Sequence, residues 1–182
     1  KTWKPIDYKG PYVKGLCAID IVREQFINHG KTDYKVHIYA VGRVGTPANM
    51  MVSHDGGLTW TSNSMDKDCK MLFDIKMFDK NTGFACAASD EDVEKSNALV
   101  LKTSDGGKTW TNTSANVAKC GVAAQAWVSS IEPSKFDKNT LYATFDNHMY
   151  GDHKTYLGKS TDLGKTWKRI NSSEFTGFAH KI

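Results

Sequence analysis

Apolar and polar residues alternate with a period of two along most of the chain, in short runs bounded by Gly, Asn, Asp and Ser. This is the pattern of half-buried strands separated by turns. Leu16–Val22, Leu72–Phe78 and Val128–Pro133 read as one set of equivalent strands, A. Val36–Gly42, Thr82–Ala87 and Thr140–Phe145 form a second set, B, and Asn49–Val52, Ala98–Lys102 and Thr155–Lys159 a third, C. A fourth set, D, starts at the tryptophans Trp60, Trp110 and Trp167. Their β-branched and aromatic content favours strands, and no segment has a helical period.

A repeat organises these strands. Ser53-His54-Asp55-Gly56-Gly57-Leu58-Thr59-Trp60 recurs as Thr103-Ser104-Asp105-Gly106-Gly107-Lys108-Thr109-Trp110 and as Ser160-Thr161-Asp162-Leu163-Gly164-Lys165-Thr166-Trp167. The shared pattern is [S/T]-x-D-x-G-x-T-W. Lys1-Thr2-Trp3-Lys4 repeats the tail of the third copy, so the four tryptophans are 57, 50 and 57 residues apart. The aspartate can accept backbone N–H groups, the glycine supplies positive φ, and the tryptophan anchors the turn. Asp55, Gly57, Trp60, Asp105, Gly107, Trp110, Asp162, Gly164 and Trp167 therefore read as structural. Repeats run over about 4–60, 61–110 and 111–167, with 168–182 opening another.

Four short strands per repeat of about 50 residues is the signature of a β-propeller blade, which makes the chain all-β, with about three and a half four-stranded antiparallel blades. The turn motif resembles the Asp box, or BNR repeat, of sialidases, xyloglucanase-like glycoside hydrolases, Vps10/sortilin propellers and photosystem II assembly factors. Leu72-Phe73-Asp74-Ile75 with Asn81-Thr82-Gly83-Phe84 resembles the photosystem-assembly type. Ser130-Ile131-Glu132-Pro133 with Asn139-Thr140-Leu141-Tyr142-Ala143 resembles the Vps10-like glycosyl-hydrolase type. A ring needs about 4–8 blades. Three completions are open: missing blades of a longer propeller, a second copy of the chain, or a small ring closed on itself.

The resemblance implies that the motifs are C–D turns and that ligands bind at the opposite end, on the B–C and D–A loops. The B–C loops are Arg43–Pro47, the acidic Ser89–Glu94, and Asp146–His153. The last gathers Asp146, His148, Tyr150, Asp152 and His153, which with Arg43 are the candidate ligand-binding residues. A glycosidase needs two carboxylates about 5–9.5 Å apart. Asp74 and Glu132 on strands A, beside Asp20, and Asp146 or Asp152 above them are the candidate catalytic groups. A binding or scaffold module that recognises a protein or glycan needs no such pair, and is the favoured function. Sialidases grip a carboxylate with three arginines, yet this chain has only Arg23, Arg43 and Arg169, and lacks the Arg-Ile-Pro signature.

Composition adds exclusions. Lys and Arg number 24 against 20 Asp and Glu, for a net charge of +4, with the lysines scattered rather than clustered, unlike a nucleic-acid reader. No apolar run reaches the ~18–20 residues of a membrane helix, and no signal peptide is visible. The resemblance nonetheless implies a secreted, periplasmic or lumenal protein. Four cysteines, without a CxxC pair, indicate no metal site, and no cofactor is expected. The acidic loop lacks EF-hand spacing. Cys86 reads as a core residue, whereas Cys69 and Cys120, ahead of strands A, read as exposed. Asn112-Thr113-Ser114 and Asn171-Ser172-Ser173 match the glycosylation pattern.

Overall fold

The computed structural model describes residues 15–42, 48–92, 94–123 and 125–170, with Thr2, Lys4, Pro5, Gly177 and Ala179. The alternating segments form three four-stranded antiparallel sheets, each from a contiguous stretch of chain. The first holds β1 (Leu16–Asn28), β2 (Lys31–Gly42), β3 (Asn49–Ser53) and β4 (Thr61–Ser64). The second holds β5 (Met71–Met77), β6 (Gly83–Ala88), β7 (Ala98–Thr103) and β8 (Thr111–Asn112). The third holds β9 (Trp127–Pro133), β10 (Leu141–Asn147), β11 (Asp152–Ser160) and β12 (Lys168–Arg169). Each sheet keeps its strands in chain order. The leading strands meet: β1 packs beside β5, and β5 beside β9.

Two apolar cores lie between neighbouring sheets. Tyr39, Met50, Leu72, Ile75 and Leu101 fill the first, and Phe84, Val100, Ile131, Leu141 and Phe145 the second. The middle sheet serves both. On β6, Ala85 and Ala87 face the first core while Phe84 and Cys86 face the second, which is why all six residues are buried. Among the described residues, the first sheet has no such second partner along β1. Ala18 and Val22 pack inward, and Ile19 and Ile21 are more than half exposed.

The three Asp turns join β3 to β4, β7 to β8 and β11 to β12, and they share the hydrogen bonds made by the aspartate and by the Ser or Thr two residues before it. In the first, Asp55 accepts from Ser53 Oγ (2.8 Å), Thr59 N (2.9 Å) and Thr59 Oγ1 (2.5 Å), and Ser53 Oγ accepts from Gly57 N (2.8 Å). Thr103, Asp105 and Thr109 repeat the pattern, as do Ser160, Asp162 and Thr166. Two successive residues take positive φ, Gly56 and Gly57 in the first turn, and Leu163 (φ 56°) and Gly164 (φ 78°) in the third. The second glycine lets the next sheet approach. A Cβ on Gly164 would lie 2.9 Å from the Phe84 ring of the second sheet, and one on Gly107 would strike the Met50 thioether of the first. Trp60 and Trp167 donate to the Gly57 and Gly164 carbonyls. Trp110 packs on the first core with its Nε1 buried and unpaired among the described residues.

Four expectations need correction. β1 runs six residues beyond the predicted strand A and β2 starts five residues before the predicted strand B, as a hairpin through His29 and Gly30, because Val22–Asn28 and Lys31–Val36 keep pairing in register. A short helix, α1 (Ser114–Ala118), follows β8 where no helix was expected; five residues are too few for periodicity to reveal it. The third B–C loop shrinks to a 3-10 turn, His148–Tyr150, between strands reaching Asn147 and Asp152. Cys69 and Cys120 are buried, and burial pushes both thiols up, Cys69 to about 12. Cys17 is the exposed one and Cys86 is fully buried, as expected for the latter. Trp3 and the start of a further repeat at 180–182 lie outside the described residues.

Hydrogen bonds from Thr59, Thr109 and Thr166 hold the carboxyls of Asp55, Asp105 and Asp162 down at about 2. A carboxyl lowered on folding stabilises above its ordinary value near ~4, and that stability is lost as pH falls toward the folded value. Thermal melts should therefore lose stability between about pH 4 and 2, and Asp105→Asn should flatten that slope.

Candidate functional site

Each leading strand carries one extra residue near the end opposite the Asp turns. Leu16 pairs with Gly42 and Ala18 with Val41, leaving Cys17 out of register. Phe73 is displaced in the same way on β5, and Ser129 on β9. The three are spaced 56 residues apart. β-Bulges bend a strand and re-aim a side chain, and they concentrate next to binding sites. A second irregularity, between Phe145 and Asn147 on β10, sets Asp146 outside the ladder to β11.

Three of these displaced residues, Phe73, Ser129 and Asp146, meet at one pocket of about 350 Å³, which Trp127, Val128, His148 and Met149 also line. The Phe73 and Trp127 rings stand edge to face, 5.3 Å between centroids. Asp146, opposite Trp127 in the sheet, is 5% exposed. Its Oδ1 accepts from the His148 backbone N–H (3.0 Å) and lies 2.5 Å from His148 Nδ1. The 3-10 turn places that ring, and Gly151 in a left-handed conformation returns the chain to β11. The pocket thus offers aromatic faces beside one oriented carboxylate–imidazole pair.

The other predicted residues are elsewhere. Asp152 accepts from Tyr156 Oη (2.6 Å) and Asn147 Nδ2 (3.2 Å), and the tyrosine bond is the main cause of its lowered carboxyl. Tyr150 and His153 are exposed near that end but do not line the pocket. Arg43 lies outside the described residues. Asp74 caps the Ile75 N–H (2.9 Å) in mid-strand. Glu132 pairs with Lys76 at 3.3 Å, and its cross-strand partner Tyr142 is four residues from Asp146 on β10, about 13 Å.

The carboxylates of the leading strands have another task. Asp20 Oδ2 accepts the Met77 N–H at 2.7 Å, bonding β1 to β5. Lys76 extends from β5 to Glu132 on β9. Burial opposes its charge, but Glu132, then Asp20 and Asp74, outweigh it and hold the ammonium above the usual lysine range. One cation therefore pairs with Glu132 of β9 and is favoured by the charges of Asp20 on β1 and Asp74 on its own strand. Nothing in local sequence marks Phe73 or Trp127 as site residues; the repeated bulge at equivalent positions was the only available signal, and bulges have no fixed sequence signature.

Among the described residues, no group of three or more His, Cys, Asp and Glu side chains is placed to hold a metal ion, and no helix is long and apolar enough to cross a membrane. Comparison with protein-family models and with curated proteins finds no match to this chain.

Replacing Lys76 by Met leaves the carboxylates mutually repelling. The partly exposed setting, a quarter for Lys76 and a third for Glu132, limits the loss to about 1–2 kcal/mol at pH 7. Urea denaturation of Lys76→Met at pH 7 should show that deficit against the unsubstituted chain.

Proposed function

We propose that the chain is a segment of an Asp-box β-propeller that binds a glycan or protein ligand at the end opposite its Asp turns, without turning the ligand over. The three sheets are its blades, the leading strands its inner strands, and the Asp turns its C–D turns. Support for the blade reading comes from the identical turns and from the contacts of β1 with β5 and β5 with β9. The exposed Ile19 and Ile21 are the apolar surface that a further blade, from the same protein or a second copy, would cover.

The observation that carries the binding function is the Phe73–Trp127–Asp146 pocket. Its volume falls in the range of small-molecule sites, about 300–1,000 Å³. Aromatic faces take the apolar C–H face of a sugar or an apolar side chain, and the carboxylate accepts from hydroxyl or amide donors. Against the hydrolase alternative stands a single carboxylate, Asp146, among the pocket's described lining residues, with Glu132 paired to Lys76, Asp20 bonded to the Met77 N–H and Asp74 to the Ile75 N–H. A fold of this kind hosts both binding and catalysis, so the site must decide.

Glycan and peptide arrays probed with the chain, followed by NMR titration of any hit, test this. Trp127→Ala should weaken the retained ligand about tenfold or more while the ligand is recovered intact. Release of a hydrolysis product that is abolished by Asp146→Asn would overturn the non-catalytic reading.

A further inference from the structure

The two seams between neighbouring sheets are filled differently at the end opposite the Asp turns. In the first seam, the chain leaves β4 through Met65. Its N–H donates to the Ala48 carbonyl at 2.7 Å, and its side chain is 1% exposed, packed into the first core with Ala48. Ala48 lies five residues before Ser53, and Met65 five residues after Trp60. The same offsets in the next repeat, counted from Thr103 and Trp110, give Ala98 and Ala115. An alanine in the methionine's position leaves its space empty. A cavity of about 210 Å³ opens in the second seam, and both alanines line it.

The walls come from α1, β7, β9 and β10, and they are apolar. Val100, Val117, Val128 and Phe145, all buried, line it. Ser114 also lines it but is satisfied within the chain: its Oγ accepts from the Val100 N–H (2.9 Å) and donates to Asn112 Oδ1 (2.6 Å). Small-molecule sites begin at about 300 Å³, whereas an apolar cavity of about 150 Å³ takes a benzene-sized group. This cavity therefore suits a single leucine, methionine or phenylalanine side chain. It does not suit a sugar, whose hydroxyls would leave water to face alanine, valine and phenylalanine carbon.

Charge indicates what carries that side chain. Asn97, another lining residue, closes the base of the loop between β6 and β7. Its N–H donates to Ser89 Oγ (2.8 Å), and its carbonyl accepts from the Ser89 N–H (3.0 Å). The loop holds Asp90, Glu91, Asp92 and Glu94 against one lysine, Lys95, which pairs with Asp92 at 2.8 Å. On a chain of net charge +4, the cavity thus adjoins a locally negative loop, which favours a positively charged partner. Val128 lines both this cavity and the Phe73–Trp127–Asp146 pocket, so the two share one end of the third sheet.

We propose that the ligand is a protein, bound through an extended basic segment. One large apolar side chain of that segment enters the alanine-lined cavity, and flanking lysine or arginine residues face the Asp90–Glu94 loop. This rests on the ligand-binding reading above and narrows it from glycan or protein to protein. A peptide in extended form advances about 3.3 Å per residue, so residues one or two positions from the anchor reach the loop whose base lines the cavity.

NMR titration of the full chain with capped pentapeptides Lys-Ser-X-Ser-Lys, where X is Leu, Phe or Ala, tests this. The Leu and Phe peptides should bind with a Kd of about 1 mM or tighter and shift the Ala98, Ala115 and Val128 methyls. The Ala peptide should bind about tenfold more weakly. Replacing both peptide lysines by glutamate should cost a similar factor at low salt and far less at ~1 M salt. Ala115→Met installs the residue of the first seam; it should not lower the melting temperature, and it should erase the preference for Leu over Ala. The double variant Glu91→Gln, Glu94→Gln, in an exposed loop, should remove the preference for lysine and tests the site even where Ala115→Met fails to fold.

Equal affinity for the Leu and Ala peptides, a preference for the glutamate peptides, or Leu-peptide binding unmoved by Ala115→Met in a folded chain would overturn the proposal. Toluene binding in the cavity with no peptide bound would also overturn it, as the mark of a site for a free apolar molecule. Glycan binding that Trp127→Ala abolishes, with no peptide bound, would overturn this inference and leave the ligand-binding reading standing. Peptide binding that Ala115→Met abolishes and Trp127→Ala does not would support this inference and count against the Phe73–Trp127–Asp146 pocket as the ligand site.

Discussion

The packing of the three sheets depends on a carboxylate that cannot let go. In each Asp turn, one aspartate accepts from a hydroxyl, a backbone N–H and a second hydroxyl, and this set of bonds holds two consecutive residues in the left-handed region. The geometry leaves a spot at the second glycine where no side chain stands, and the neighbouring sheet fills it: Met50 against Gly107, Phe84 against Gly164. A turn that looks like a local device is therefore also an intersheet contact. Leu163 tolerates positive φ because its N–H bonds to the Asn139 carbonyl and its own carbonyl accepts from Lys102 of the preceding sheet, so that turn is held from both sides.

Much of this architecture is legible in the chain. Strands B and C of every sheet follow from apolar runs, whose alternate residues face two different cores in the middle sheet, and the Asp turns follow from the recurrence of Asp, Gly, Thr and Trp at fixed offsets. Legibility fails where pairing energy rather than side-chain pattern decides. The β1–β2 extension contains Arg23, Glu24, Gln25, Lys31, Thr32 and Asp33, a polar stretch with no core face to announce it, and its strand character comes from in-register pairing across the tight turn at His29 and Gly30. Cys69 and Cys120 show the same limit, since their burial depends on connections between sheets.

The candidate site was legible only in part. Asp146 and His148 stand out as titratable residues in one loop, and they do meet. Asp152 shares that loop but is claimed by Tyr156 and Asn147. Phe73 and Trp127 lie in the predicted strand A and just before it, where an aromatic ring reads as core; a bulge turns one of them out to the pocket. The carboxylates Asp74 and Glu132 look catalytic by position, and their role is decided by a lysine, Lys76, that no motif links to them. The two ends of the sheets thus differ in kind: displaced residues shape a pocket at one, while regular, hydrogen-bonded turns close the other.

Hydrogen exchange resolves whether the Asp turns are structural joints or surface ornaments. The Gly107 and Gly164 amides donate to Thr103 and Ser160 hydroxyls beneath the turns. Should the turns hold the sheets together, these amides exchange only through global unfolding, with the same free energy and denaturant dependence as Ala85 and Val100 in the central strands. Fast exchange that is insensitive to denaturant, with the central strands still protected, would contradict that role.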